Sequence, residues 1–322
     1  MMSLLDVKGL NVDFSTKEGM HYVLKNVDFN IGKGEIVGLI GESGSGKSTL
    51  AMTVLDINSH NRHMSGNISF MGERIDSIKK EKMRQVRGKS IGFVPQSSMN
   101  ALNPLVKIKS QFFETIKAHT NMSREDMLSL TEKSLEMVGI NPSRMNSCPY
   151  EFSGGQRQRI MIALSMLLSP ELIIADEPTT ALDATVQLKI IELLKDVVKQ
   201  KHTSMLVISH DLHTISRICD RIYIMYAGKI VETGTRDEIL NNPVHPYTRK
   251  LLASRLPLMC EPVRVKGISG TPPSTLKKYE VCEFMERCDR VSEICRTVRP
   301  PECTGSVKVA CHLESNSECH LE

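Results

Sequence analysis

Residues 41–49 read Gly-Glu-Ser-Gly-Ser-Gly-Lys-Ser-Thr, directly after an apolar run that ends at Ile40. Gly41, Gly46, Lys47 and Ser48 fall at the spacing G-x-x-x-x-G-K-[ST]. Glycines adopt backbone angles barred to other residues, so successive N–H groups can curl inward and ring an anion. A helix beginning at Lys47 would aim its positive end at the same point. Lys47 would then reach the β- and γ-phosphates of a nucleotide, and the Ser48 hydroxyl would ligate Mg²⁺. A plain glycine-rich turn is the alternative. The match lies between an apolar strand pattern and a helical one, as phosphate binding requires, so the loop is expected to hold nucleotide phosphate.

Two carboxylates close another apolar run, Leu172-Ile-Ile-Ala-Asp176-Glu177. Asp176 is placed to hold Mg²⁺, usually through water, and Glu177 to orient and deprotonate an attacking water. A solvated acidic turn would give the same residues. Val207-Ile-Ser-His210 repeats the pattern with a histidine. His210 is either structural or, beside a phosphate loop, a contact for the γ-phosphate and the water. Phe152-Ser153-Gly154-Gly155-Gln156 precedes a helical pattern, Arg157–Leu168. It offers a second set of exposed helix-start amides, an anion site without a lysine. One chain has no evident use for two phosphate cradles unless the second serves another subunit's nucleotide.

The elements needed to position these groups are legible in outline. Ile36–Ile40, Ser90–Val94, Leu172–Ala175 and Met205–Ile208 read as buried strands, apolar throughout as central parallel strands are. Helical patterns follow several of them, at Lys47–Leu55, Ala184–Gln200 and Leu212–Cys219. This alternation predicts a parallel sheet covered by helices. Residues 97–156 interrupt it with two amphipathic patterns, Lys107–His119 and Arg124–Val138. Ser123 is a candidate N-cap and Gly139 a candidate C-cap. A Pro/Gly-bearing stretch begins near Pro257 and leads into a cysteine-rich tail.

The chain has 322 residues, 40% hydrophobic and 24% charged, which suits one large domain with a smaller appendage. With no Trp and 4% aromatics, recognition by aromatic platforms is not expected. A net charge of +4 is too mild and scattered to imply nucleic acid as a partner. The longest apolar helical run, Ile160–Leu168, falls far short of a bilayer span. The N-terminus Met1-Met-Ser-Leu-Leu-Asp6 lacks the features of a cleaved leader, so a cytoplasmic location, held on a membrane by partners, is expected. Six of nine cysteines crowd into residues 282–319, which in a reducing compartment favours metal or cluster ligation over disulfides.

Taken together, the motifs resemble those of ABC transporter ATPase subunits over about the first 250 residues. Gly41, Ser43, Gly44, Gly46, Lys47, Ser48 and Thr49 match the Walker A loop, and Phe93-Val-Pro-Gln96 the Q-loop. The resemblance makes Gln96 a Mg²⁺ and coupling residue. Ser153, Gly154, Gly155 and Gln156 match the signature LSGGQ, with Phe152 in place of its Leu. Asp176 and Glu177 match the Walker B pair, Ala181-Leu-Asp183 the D-loop, and His210 the switch histidine. Phe14 falls where the family stacks an aromatic on adenine, with Tyr22 as the alternative. The implied fold is a P-loop NTPase, a RecA-like parallel sheet with flanking helices, an ABC helical subdomain and a small Cys-rich extension. The implied domains are 1–256, with the helical part at about 97–156, and 257–322. The implied activity is Mg²⁺-dependent ATP hydrolysis in a head-to-tail pair with a second ATPase subunit, a copy of itself or a paralogue. Each ATP would be buried between one Walker A loop and the facing signature. Further partners would be two integral membrane permease subunits and, indirectly, an extracytoplasmic substrate-binding protein.

Three local features narrow the resemblance to dipeptide, oligopeptide and nickel importers: Asn100-Ala-Leu-Asn-Pro104, Pro243-Val-His-Pro-Tyr-Thr248 and Ile268-Ser-Gly-Thr-Pro-Pro273. Cys282, Cys288, Cys295 and Cys311 are similar to the tail of those ATPases, some of which are implied to hold a [4Fe–4S] cluster there. Cys303 and Cys319 could substitute, and zinc or unligated thiols are the alternatives. An ABC-type ATPase in repair or translation is a rival reading, but the long coiled coils or tandem units of such proteins are missing here. A nucleotide-binding regulatory scaffold is another, opposed by Glu177 and His210. The cargo, whether peptide, nickel or chelated metal, is left open.

Overall fold

The computed structural model describes residues 3–57, 60–96, 101–180, 182–254, 267–300 and 308–313. Asn100, Ala181, Pro257, Pro262, Cys260, Cys303 and Cys319 lie outside the described residues.

Two sheets carry the architecture. In chain order the strands are β1 (Ser3–Thr16), β2 (Gly19–Gly32), β3 (Ile36–Ile40), β4 (Arg62–Phe70), β5 (Glu73–Arg74) and β6 (Ile91–Val94). There follow β7 (Leu172–Asp176), β8 (Ser204–Ser209), β9 (Arg221–Tyr226), β10 (Lys229–Thr235) and β11 (Lys308–Val309). The larger sheet has the order β11-β10-β9-β3-β8-β7-β6. Its members from β9 to β6 are parallel, while β10 and β11 add antiparallel at one edge. The smaller sheet, β2-β1-β4-β5, is antiparallel throughout. The sequence patterns predicted four of the five parallel strands, missing β9, and did not predict this second sheet, because half-exposed alternating strands give a weaker signal than fully apolar ones.

Every residue of β3, β7 and β8 is buried. Side chains alternate between two faces, so each strand feeds two cores. Ile36, Ile40, Ile173, Ala175, Met205 and Val207 pack with the helical segments. Val37, Leu39, Leu172, Ile174, Leu206 and Ile208 pack against the antiparallel sheet and the helix Lys47–Val54. The sheet is therefore a rigid floor, and the ends of its strands are the points from which a site can be built.

The interrupting segment forms helices Ile108–His119 and Arg124–Met137, one residue shorter at an end than their patterns suggested. Ser123 caps the second helix by accepting from the Asp126 N–H. Gly139, at φ +70°, follows the capping residue Val138. Among the described residues, no helix is long and apolar enough to cross a membrane.

The tail returns to the sheet. Val309 pairs with Glu232 of β10, and Phe284 is buried against the rings of Tyr226, Tyr247 and His245. His245 is enclosed: its Nδ1 accepts from the Tyr247 N–H at 3.0 Å and the ring also bonds to the Ala310 backbone. Burial pushes its pKa down from 6.5 to about 3, so the folded protein holds it neutral. Unfolding lets it take up a proton below pH 6.5, so this contribution to stability is complete above pH 6.5 and is lost as pH falls toward 3. Each pH unit in that window is worth roughly 1.4 kcal/mol. Denaturant titrations at pH 7 and pH 5 are expected to show a loss of about 2 kcal/mol from this group. In His245→Asn, whose side-chain oxygen can still cap the helix, that part of the pH dependence is expected to vanish.

Candidate functional site

The phosphate loop leaves the C-terminal end of β3, the central strand, and enters the helix Lys47–Val54. Gly46, at φ +105°, occupies the left-handed position before the first helical turn, which a side chain would strain. A Cβ on Gly41 would lie 2.1 Å from the Met225 carbonyl oxygen, so only glycine lets the loop approach β9 this closely. Ser45 binds the β9–β10 hairpin, accepting from the Gly228 N–H at 2.9 Å. Ser43 and Gly44 are exposed, whereas Ser48 and Thr49 are half-buried in the first turn.

Lys47 is buried, and its ammonium donates to the carbonyls of Gly41 and Glu42, each at 2.8 Å, and to Ser45 Oγ at 3.4 Å. Burial lowers its pKa, while Glu177, Asp176 and Glu42 oppose the shift. The amine is thus folded back on its own loop.

Asp176 and Glu177 stand at the end of β7, next to β8 and one strand removed from β3. Asp176 is buried, and burial raises its pKa against the Ser48 hydroxyl hydrogen bond. Its Oδ1 has no hydrogen-bond partner among the described residues. A buried carboxylate with an open acceptor, touching a hydroxyl at the head of the phosphate loop, is an oxygen donor set that fits Mg²⁺.

Glu177 sits at φ +45°, an uncommon backbone for a non-glycine residue, fixed by its N–H donating to the Ile208 carbonyl at 2.9 Å. Three side chains converge on it. Gln96 Nε2 and Thr180 Oγ1 donate to its Oε2, both at 3.1 Å, and His210 Nδ1 lies 3.0 Å from its Oε1. Burial raises its pKa, but His210, Thr180 and Lys47 together outweigh this and hold it below the usual carboxylate range. The group is an ionised, oriented proton acceptor. Gln96 and His210 are themselves exposed. Thr180 was not singled out in the sequence; its position three residues after Glu177, within one turn, was the available signal.

The remaining motif residues are not drawn onto this loop. Ser153 caps the helix Gly154–Ser165, and its N–H donates to Gln156 Oε1 at 3.1 Å while its Oγ accepts from the Gln156 N–H at 3.4 Å. Phe152 anchors this start, being buried under the Arg144 guanidinium. Asp183 caps the helix Ala184–Gln200 through the Val186 N–H at 3.0 Å and is exposed. Phe14 on β1 is half-buried against the antiparallel-sheet core. Tyr22 on β2 is also half-buried, and its N–H donates to the Thr275 carbonyl in the tail.

Cys282, Cys288, Cys295 and Cys311 lie in the tail, and none of them is in a disulfide. Burial pushes Cys282 up to about 11, with further upward contributions from Cys295, Cys311 and Cys288. Among the described residues, no three His, Cys, Asp or Glu side chains are placed to hold a metal ion. The expected zinc or iron–sulfur site is therefore not formed by the thiols as they stand.

The ABC transporter family matches residues 24–180, and the family described as oligopeptide/dipeptide transporter, C-terminal region, matches residues 231–295. The oligopeptide transport ATP-binding protein OppD of Escherichia coli (strain K12) is 37% identical over 302 residues, spanning 93% of this chain and 90% of that one. The dipeptide transport ATP-binding protein DppD of Caldanaerobacter subterraneus subsp. tengcongensis is 35% identical, spanning 97% of this chain and 98% of that one. A dimeric, post-hydrolysis structure of the ATP-binding cassette MJ0796 bound to ADP and Pi superimposes with a TM-score of 0.64. It is 28% identical and covers 72% of this chain and 98% of that one.

Proposed function

Since the chain belongs to the ABC transporter family, in its oligopeptide/dipeptide branch, we propose that its ATP hydrolysis energises the uptake of di- and oligopeptides. The observation that carries the chemistry is the convergence of Gln96, Thr180 and His210 on Glu177, beside Asp176 and Lys47. Names of the relatives favour peptide over nickel or a metal chelate as cargo.

In the proposed mechanism the amides of residues 41–49 ring the triphosphate, and Lys47 exchanges its loop carbonyls for the β- and γ-phosphate oxygens. Phe14 stacks on adenine. Ser48, Asp176 and Gln96 would hold Mg²⁺, which when bound supplies neutralising charge for the phosphates. Glu177 takes the proton of the attacking water, with His210 and Thr180 fixing its carboxylate and His210 facing the γ-phosphate. Ser153, Gly154, Gly155 and Gln156 serve the nucleotide of a facing subunit, itself or a paralogue, with Asp183 at the same interface. That assignment accounts for a polar helix start whose hydrogen bonds stay within its own cap. Closing of the two subunits on ATP and their release after hydrolysis drives two membrane permease subunits, fed by an extracytoplasmic binding protein. The helical segment at 97–156 docks on a permease at the cytoplasmic face of the membrane. Residues 1–256 act as the nucleotide-binding domain and 257–322 as its extension.

The test is uptake. Cells in which Glu177→Gln replaces the native chain are expected to lose accumulation of a labelled di- or tripeptide while keeping nickel uptake. The opposite pattern overturns the choice of cargo.

The [4Fe–4S] cluster stays a proposal for Cys282, Cys288, Cys295 and Cys311 that rests on the crowding of cysteines in the tail sequence, and it requires the thiols to turn toward one point, which they do not do as they stand. Anaerobically purified protein should then contain iron and sulfide and be brown from broad visible absorbance that bleaches on oxidation. Colourless protein without iron rejects it.

A further inference from the structure

Two of the three features that narrowed the sequence to peptide and nickel importers reach the phosphate loop at one residue, Glu42: Tyr247 directly, and Ile268 and Ser269 by way of Arg287. The Glu42 N–H donates to the Tyr247 hydroxyl at 3.0 Å. Its carbonyl accepts from Lys47 at 2.8 Å. Its carboxylate receives a two-pronged ion pair from Arg287, with Nη1 at 2.7 Å from Oε2 and Nη2 at 2.9 Å from Oε1. The Arg287 side chain is 4% exposed, and the rest of its guanidinium is spent on the tail: Nε donates to the Ser269 carbonyl and Nη2 to the Ile268 carbonyl. Nη1 also donates to the Tyr226 hydroxyl at 3.3 Å. Lys250, in turn, donates to the Arg287 carbonyl at 2.7 Å. Arg287 is the residue before Cys288.

Glu42 is an awkward residue for a loop that must embrace a triphosphate. Its negative charge acts on Lys47, the cation expected to meet the phosphates, and would compete for that ammonium and repel the nucleotide. A buried, planar, bidentate guanidinium cancels the charge and turns both carboxylate oxygens toward the tail. We infer that Arg287 is a positioning residue of the nucleotide site, which neutralises and orients Glu42 and so makes ATP affinity depend on the docked C-terminal extension. This rests on the nucleotide reading of residues 41–49 and deepens it.

The experiment is a double-mutant cycle on the full chain, read by binding of a fluorescent ATP analogue and by ATP dependence of hydrolysis. Arg287→Ala is expected to weaken ATP about tenfold in the native background and to raise KM while maximal turnover changes little. In the Glu42→Gln background, where no charge needs cancelling, the same substitution should cost less than twofold. A role limited to holding the tail down would give equal losses in both backgrounds, and that result overturns the inference. So does an Arg287→Ala chain with native affinity. If Arg287→Ala does not fold by thermal denaturation, Arg287→Lys, which keeps the charge but not the fork, is measured in both backgrounds. A loss of threefold or more that disappears with Glu42→Gln supports the inference, and any other pattern rejects it. Failure of the unmutated chain to bind the analogue would instead reject the nucleotide site itself.

Discussion

Glu177→Gln is expected to bind ATP with wild-type affinity and to hydrolyse it roughly 10²–10⁴-fold more slowly. The substitution keeps the volume and an oxygen that can accept from Gln96 and Thr180, so the pocket's geometry survives. What it removes is the proton acceptor. Burial by itself would push this carboxyl toward neutrality, yet His210, Thr180 and Lys47 keep it ionised, and the strained φ of +45° is retained to aim it. An amide in the same place cannot take a proton from water. On the proposed mechanism, in which closure needs the nucleotide and opening needs its cleavage, the variant should also persist as an ATP-bound pair of subunits. Steady-state hydrolysis, analogue binding and gel filtration with ATP on one preparation decide it. Turnover within threefold of wild type would remove Glu177 from the role of base.

Lys47→Ala is expected to lose nucleotide affinity first, with hydrolysis falling as a consequence. Its ammonium is buried, bonded to three oxygens of its own loop, and held cationic against burial by Glu177, Asp176 and Glu42. Phosphate oxygens replace neutral carbonyls with charged acceptors, and hydrogen bonds to charged groups are worth about 1.5–3 kcal/mol. Affinity should therefore drop by roughly 10–150-fold, for which titration with the fluorescent analogue gives a direct reading. In the variant the carbonyls of Gly41 and Glu42 also lose their donor, so the loop itself loosens. Unaltered affinity would mean that the loop amides alone hold the nucleotide.

Much of the site could be read in advance because its parts are local. Gly41 to Thr49, Asp176-Glu177 and Ser153 to Gln156 are each a strand end or helix start whose chemistry follows from contiguous residues. Thr180 and the antiparallel sheet were missed for different reasons. The first is a common turn residue, and the second is built from strands whose exposed faces blur their period. Crowded cysteines suggested a metal centre, but spacing along a chain does not fix where thiols point, and among the described residues no three metal-ligating side chains meet at one point.

The sequence by itself determined most of the parallel core, the glycine-rich loop and the acid pair, since hydrophobic periodicity and glycine geometry act over a few residues. Only the tertiary structure decided that Gln96, Thr180 and His210 share one carboxylate, and that Arg287 and Tyr247 grip Glu42 from more than 200 positions away. Such pairings depend on strand order and on how the tail returns to β10. Those are set by packing and burial summed over the whole chain, and no stretch of residues encodes them alone.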